Sequence, residues 1–124
     1  MAYLMAQIID GKQIATELKL EIAKEVEAIK AQHRIIPTLA VILVGTDPAS
    51  EVYVNNKEKA AHLVGMNSIL HKLASDISES DLLKKIDELN KDKDVHGVLV
   101  QLPLPKHIDS KKVLYAIDYK KDVD

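Results

Sequence analysis

The run Leu39-Ala-Val-Ile-Leu-Val44 constrains this chain more than any other stretch. Six apolar residues without a polar break, set between Pro37 and Gly45, suit a parallel strand buried on both faces. Such a strand needs a helical layer above and below it, and parallel neighbours reached through crossover helices. The next residues supply the first crossover. Gly45-Thr-Asp-Pro48 turns the chain, Asp47 fits an N-cap, and Pro48 fits the first helical turn, where a missing N–H does no harm. The spacing predicts a helix to about Val64, closed by Gly65.

The flanking segments repeat the alternation. Ile8-Ile9 reads as a short entry strand stopped by Asp10-Gly11. From Gln13 to about Gln32, Ile14, Leu18, Ile22, Val26 and Ile29 recur every three or four residues, which predicts an amphipathic helix packed along one face. Asn67–Leu73 reads as a strand. Ser78 caps a helix carrying Leu82, Leu83, Ile86 and Leu89, and Asn90–Asp94 is a polar loop. Val95–Leu102 is the most strand-like stretch, ended by Pro103-Leu-Pro105. Asp109 or Ser110 caps a last helix through Val113, Leu114 and Ile117. The order predicts one three-layer α/β/α domain over residues 1–124, with a mainly parallel sheet of about four strands.

Composition removes several function classes. The 124 residues contain no cysteine, so disulfides and thiolate-bound metal are excluded. A net charge of -2 argues against nucleic acid or an anionic membrane as the main partner. No apolar run approaches the roughly 20 residues of a membrane span, and Met1–Gln7 lacks the basic start of a secretory signal; the expected compartment is the cytoplasm. His33, His62, His71, His96 and His107 show no ligand spacing, so no metal is expected. His96 begins a strand and faces the edge opposite the expected site. With no Phe, no Trp and four Tyr, the core must be aliphatic, and a mid-chain tyrosine is unlike mere bulk.

Tyr53 and Lys57 stand four residues apart on the helix after Pro48, on one face and one turn apart. An aromatic plate and an amine therefore project together beside the carboxyl ends of the strands, where open α/β sheets bind ligands. Tyr53, Lys57, Ala60 and Val64 form one stripe, whose later members pack on the sheet while the earlier ones overhang its rim. Gln101 ends the last strand at the same rim if the two strands are parallel neighbours, and can accept a hydrogen bond from the amine. Asp124 can bond the nitrogens of a heterocycle. By themselves these features stay open to plainer readings: a surface helix pair, a strand-end polar cap, and solvated carboxylates at a fraying end.

Three ordered motifs decide between those readings. Gly45-Thr-Asp-Pro-Ala-Ser50-Glu-Val-Tyr53-Val-Asn-Asn-Lys57-Glu-Lys-Ala60, His96-Gly-Val-Leu-Val-Gln101-Leu-Pro-Leu-Pro105 and Lys121-Asp-Val-Asp124 resemble the bifunctional methylenetetrahydrofolate dehydrogenase/methenyltetrahydrofolate cyclohydrolase (FolD) family. Ile9-Asp-Gly-Lys12 fits as well. The resemblance covers nearly the whole chain and implies an N-terminal catalytic domain of the amino-acid-dehydrogenase-like kind. It implies that Lys57 is the central acid–base residue, that Gln101 positions Lys57, and that Tyr53 stacks on the folate. Asp124 would grip the pterin with help from backbone groups near Val100 and Leu102, and Ser50 would be part of the pocket wall. It also implies tetrahydrofolate derivatives as ligands, a homodimer for the full-length protein with this piece monomeric, and NADP bound by a C-terminal Rossmann domain. No such domain is expected within these residues, since Gly11, Gly45, Gly65 and Gly97 are the only glycines and no G-x-G-x-x-G loop exists. Two other readings are a non-catalytic folate-binding module and the catalytic domain of another two-domain α/β dehydrogenase.

Overall fold

A computed structural model describes residues 5–124. Its elements are α1 (Gly11–His33), β1 (Thr38–Val44), α2 (Pro48–Leu63), β2 (Asn67–Leu73), α3 (Glu79–Lys91), β3 (Gly97–Val100) and α4 (Ser110–Ala116). The three strands are parallel in the order β2-β1-β3. β1 is therefore central, as its unbroken apolar run requires, and Ala40 to Leu43 are at most 2% exposed.

Side chains alternate across β1 and feed two cores. Ala40, Ile42 and Val44 join Val98 and Val100 of β3 against Leu82, Ile86 and Leu89 of α3 and Val113 of α4. Val41 and Leu43 point the other way, with Leu99, against Val54 of α2. The layering is the expected α/β/α.

Local capping sets where the helices begin. Asp10, Asp47, Ser78 and Asp109 are the four N-caps, each accepting a backbone N–H from the first turn of its helix. β3 is shorter than Val95–Leu102, yet its ladder hydrogen bonds continue at both ends. His96 N–H donates to Thr38 O at 3.0 Å and Gln101 N–H to Ile42 O at 2.9 Å.

Two expectations need correction. Ile8 and Ile9 form no strand, being 88% and 82% exposed. The sheet has three strands, and the outer edge of β3 is taken by the C-terminal tail instead. Val98 N–H donates to Lys121 O at 2.8 Å, and Asp122 forms a single parallel bridge beside Val98. Two adjacent isoleucines ahead of a helix offer too few ladder bonds to compete for an edge. The second correction concerns α1. Its apolar stripe packs only toward its C-terminal half, where Val26 is buried near Gly65. Ile14 and Leu18 remain about half exposed, because the first turns carry the stripe past the edge of the body. Among the described residues, no helix is long and apolar enough to cross a membrane.

Candidate active site

The turn after β1 aims α2. Gly45 adopts φ +88°, which glycine reaches without the strain a Cβ would bring, and its N–H donates to Leu73 O at 2.9 Å. The next residues cap the helix tightly. Asp47 Oδ2 accepts from Ser50 N–H and from Ser50 Oγ–H, both at 2.9 Å. Those two donors, the backbone N–H first, hold the Asp47 carboxyl below its ordinary range. Ser50 is 2% exposed with its hydroxyl spent on this cap, so it stands beneath the rim and fixes the turn.

From that start, Val54 and Ala61 face the sheet while Tyr53 is 59% exposed at the rim and Lys57 is half-buried one turn further on. Gln101 arrives from the opposite side of β1. Its backbone is anchored to Ile42 O, and it shares the α2 face with Leu99, two residues earlier. The two side chains meet: Lys57 Nζ donates to Gln101 Oε1 at 2.6 Å. The other end of the amide is also engaged, since Gln101 Nε2 donates to Leu102 O at 3.0 Å. This second bond settles the amide orientation, because an exchanged O and N would set a carbonyl against a carbonyl. The acceptor oxygen is thereby held toward the lysine.

The tail brings the third segment toward the same end. Running parallel to β3 with Asp122 beside Val98, it carries Asp124 level with Val100 two residues later. Asp124 is exposed, its N–H donating to Asp122 Oδ1 at 3.2 Å, and it makes no bond to Lys57 or Gln101. Val100 buries its side chain in the α3/α4 core, and Leu102 is 39% exposed at the rim. The structure thus joins Lys57 to Gln101, sets Tyr53 beside them on one helix face, and leaves Asp124 at the edge.

Periodicity gives no sign of what holds the tail. Lys121 Nζ donates to Leu89 O at 2.9 Å and Asp92 O at 2.6 Å, closing the C-terminal end of α3. Val123 lies over Gly97, where an added Cβ would stand 2.8 Å from its Cγ1. Glycine at 97 is needed for that approach. Membership of Lys121 and Val123 in the Lys-Asp-Val-Asp motif is the one signal that marks them, but their partners lie roughly 30 residues upstream.

The fold and this rim define a three-layer α/β domain with a lysine–carboxamide pair at the carboxyl ends of its strands. Residues 9–124 match the family described as tetrahydrofolate dehydrogenase/cyclohydrolase, catalytic domain, and the chain belongs to that family. It is 57% identical over 119 residues to the bifunctional protein FolD of Moorella thermoacetica, covering 96% of this chain and 42% of that protein. Against the FolD protein of Magnetococcus marinus it is 54% identical over 120 residues, again 42% of the relative. Among solved structures, the bifunctional FolD enzyme of Campylobacter jejuni superposes with a TM-score of 0.91 at 43% identity, covering 93% of this chain and 40% of that one. The Trypanosoma brucei enzyme, complexed with NADP cofactor and inhibitor, superposes at 0.90 with 32% identity, covering 96% and 40%. The chain spans about two fifths of the length of these relatives.

Proposed function

We propose that this chain supplies the folate site and the proton-moving lysine of a methylenetetrahydrofolate dehydrogenase/methenyltetrahydrofolate cyclohydrolase. The observation that carries the reading is the 2.6 Å bond from Lys57 Nζ to Gln101 Oε1, made by side chains 44 residues apart. Tyr53 offers its exposed ring as a stacking plate, and Asp124 with backbone groups near Val100 and Leu102 holds the pterin. Ser50 supports the wall by locking the first turn of α2.

The chemistry follows from what an amine can do beside a cation. Oxidation of the 5,10-methylene bridge leaves a cationic 5,10-methenyl group, and a nearby cation disfavours an ammonium. A neutral amine that donates one N–H to Gln101 keeps its lone pair and a second N–H for the ligand. Water attacks the bridge carbon, forming the C–O bond and passing a proton to Lys57. The C–N5 bond then breaks as Lys57 returns that proton to N5, and the hydroxyl proton leaves to solvent as the 10-formyl carbonyl forms. An arginine stays charged and cannot serve.

NADP is the proposed hydride acceptor, but these residues do not fit it. The β1–α2 turn holds a single glycine, and the Asp47 carboxylate already occupies the helix N-terminus where a phosphate would sit. The seat for NADP is proposed in the part of the relatives' length that this chain does not span, as are the subunit contacts of a homodimer. No hydride step is assigned to the residues described.

The test is Lys57→Met in the 124-residue chain. Loss of the methenyl chromophore should slow by about 10²–10⁴-fold toward the uncatalysed rate, while binding of a folate analogue by calorimetry survives. Equal rates in both proteins would leave a folate-binding module without catalysis. Binding of small hydroxy acids in place of folate would point to another two-domain dehydrogenase. The wild-type chain alone is expected to reduce little or no NADP.

A further inference from the structure

The amino ends of the strands, opposite the Lys57 rim, carry a second cluster. Arg34 lies before β1, Asn67 starts β2, and Lys93 and His96 lie in the turn that leads into β3. They line one cavity of about 390 Å³ together with Ile35, Ile36, Thr38 and Asp94. Three features bear on what this cavity could hold.

The first is the backbone at Arg34. As the C-cap of α1 it adopts φ 53° and ψ 33°, a left-handed conformation usually given to glycine or asparagine. Arginine is costly there, and a costly conformation kept at a cavity mouth points to a use for its side chain. The second is charge. Like most lysines of the described residues, Arg34 and Lys93 have no carboxylate within ion-pair distance, but here two such cations line one cavity. The third is the ring of His96. Thr38 N–H donates to His96 Nδ1 at 3.0 Å, so Nε2 carries the ring proton and is a donor. Asp94 is the one acid of the lining, so the two cations outnumber it, while Asp92 lies outside the lining and accepts the N–H of Asp94 at 2.9 Å.

We propose that this cavity is an anion site for a small phosphate-bearing molecule, separate from the folate site. The guanidinium fork of Arg34 matches two phosphate oxygens, Lys93 adds a second cation, and His96 Nε2–H and the Asn67 amide supply neutral donors. Ile35 and Ile36, 45% and 54% exposed, give an apolar flank for the organic part of a phosphate ester. A cavity of this volume lies in the range of small-ligand pockets.

Titration of the ¹⁵N-labelled chain with inorganic phosphate, at ionic strength held constant with chloride, tests the site. Saturable amide shifts should cluster at Arg34–Thr38, Asn67 and Lys93–His96. Arg34→Gly suits the left-handed cap, so it should leave the melting temperature unchanged or raised while weakening phosphate binding about tenfold or more. Lys93→Ala, in an exposed turn, should weaken it comparably, and Lys57→Met should bind phosphate normally. Shifts that never saturate, shifts scattered over other lysines, or unchanged affinity in both Arg34→Gly and Lys93→Ala would overturn the site. Because the readout is phosphate binding alone, its outcome does not depend on whether the folate reading holds.

Discussion

The two faces of the sheet are built to different standards. Under α3 and α4, twelve buried residues from four elements and the adjoining loops form one continuous core. Under α2 only Val41, Leu43, Val54 and Leu99 are buried together, and α1 beyond them buries one residue, Val26. The proposed chemistry sits on the thinner side. Lys57 needs a helix that overhangs the rim, and an overhanging helix cannot also be sunk in a deep core. The thick face holds the strands in register, and the thin face uses that register to bring Gln101 beneath Lys57.

Adjacent residues of β1 test this division most sharply, since Ile42 and Leu43 are equally buried but point to opposite layers. Truncation of either to alanine falls in the range of about 2–5 kcal/mol for large core side chains. Ile42→Ala should lie near the top, because its partners belong to the continuous core. Leu43→Ala should lie near the bottom, since Leu43 already borders a cavity of about 140 Å³ beside Val54 and Leu70 and so has fewer contacts to lose. Urea unfolding gives both values. Equal or reversed costs would end the comparison of a thick and a thin face.

The next largest effect concerns how α2 is held without a deep core. Asp47→Ala removes both bonds to Ser50, and a lost N-cap should lower the melting temperature by a few degrees. Folate-analogue affinity should fall with it, since Tyr53 lies in the second turn. The pH dependence has a definite sign. The folded carboxyl of Asp47 is held below its ordinary range by the Ser50 N–H and hydroxyl, so its stabilisation is complete above the unfolded value and disappears as pH falls through the folded one. Glu79 behaves likewise, held down first by Asp109 N–H and then by Lys112. Thermal stability should therefore slip as pH falls below neutral, because burial foremost, and Lys85 next, disfavour the charged form of His71, and drop further below about pH 4 as these carboxyls protonate. Asp47→Ala should make that drop shallower; an unchanged acid limb would remove the cap from the account.

How much of this was legible beforehand depended on whether the cause was local. Asp47, Pro48 and Gly65 announce both ends of α2 through turn and cap chemistry, and the unbroken run at Leu39–Val44 announces a strand buried on both sides. The meeting of Lys57 with Gln101 follows from parallel neighbours sharing one edge, once motif resemblance has picked those residues from many polar ones. What stayed hidden was competition at a distance. Ile8-Ile9 looks like a strand by composition, yet the edge goes to the tail, whose hold comes from Lys121 on the carbonyls of Leu89 and Asp92 and from Val123 above Gly97. The stripe of α1 is regular, but periodicity states only that a face is apolar, not that a neighbour lies within reach of it.

The smallest predicted effect isolates the last contact between α2 and the sheet edge. Lys72 of β2 donates to Glu51 in the first turn of α2 at 2.9 Å, with side chains 54% and 38% exposed. A pair this open gains little over hydration and must order two flexible side chains, so it contributes about 0.2–1 kcal/mol at most. Lys72→Met keeps the aliphatic stem over Leu70 and Leu43 and removes only the charge. Its cost in urea should be under about 0.5 kcal/mol and should vanish in high salt, because exposed pairs are screened. Folate-analogue affinity should not change, since Asp47 and Val54 already fix where α2 starts and how it lies. A larger, salt-independent cost accompanied by weaker folate binding would mean that α2 is aimed from the β2 edge, and the thin face would then owe its geometry to an ion pair rather than to its cap.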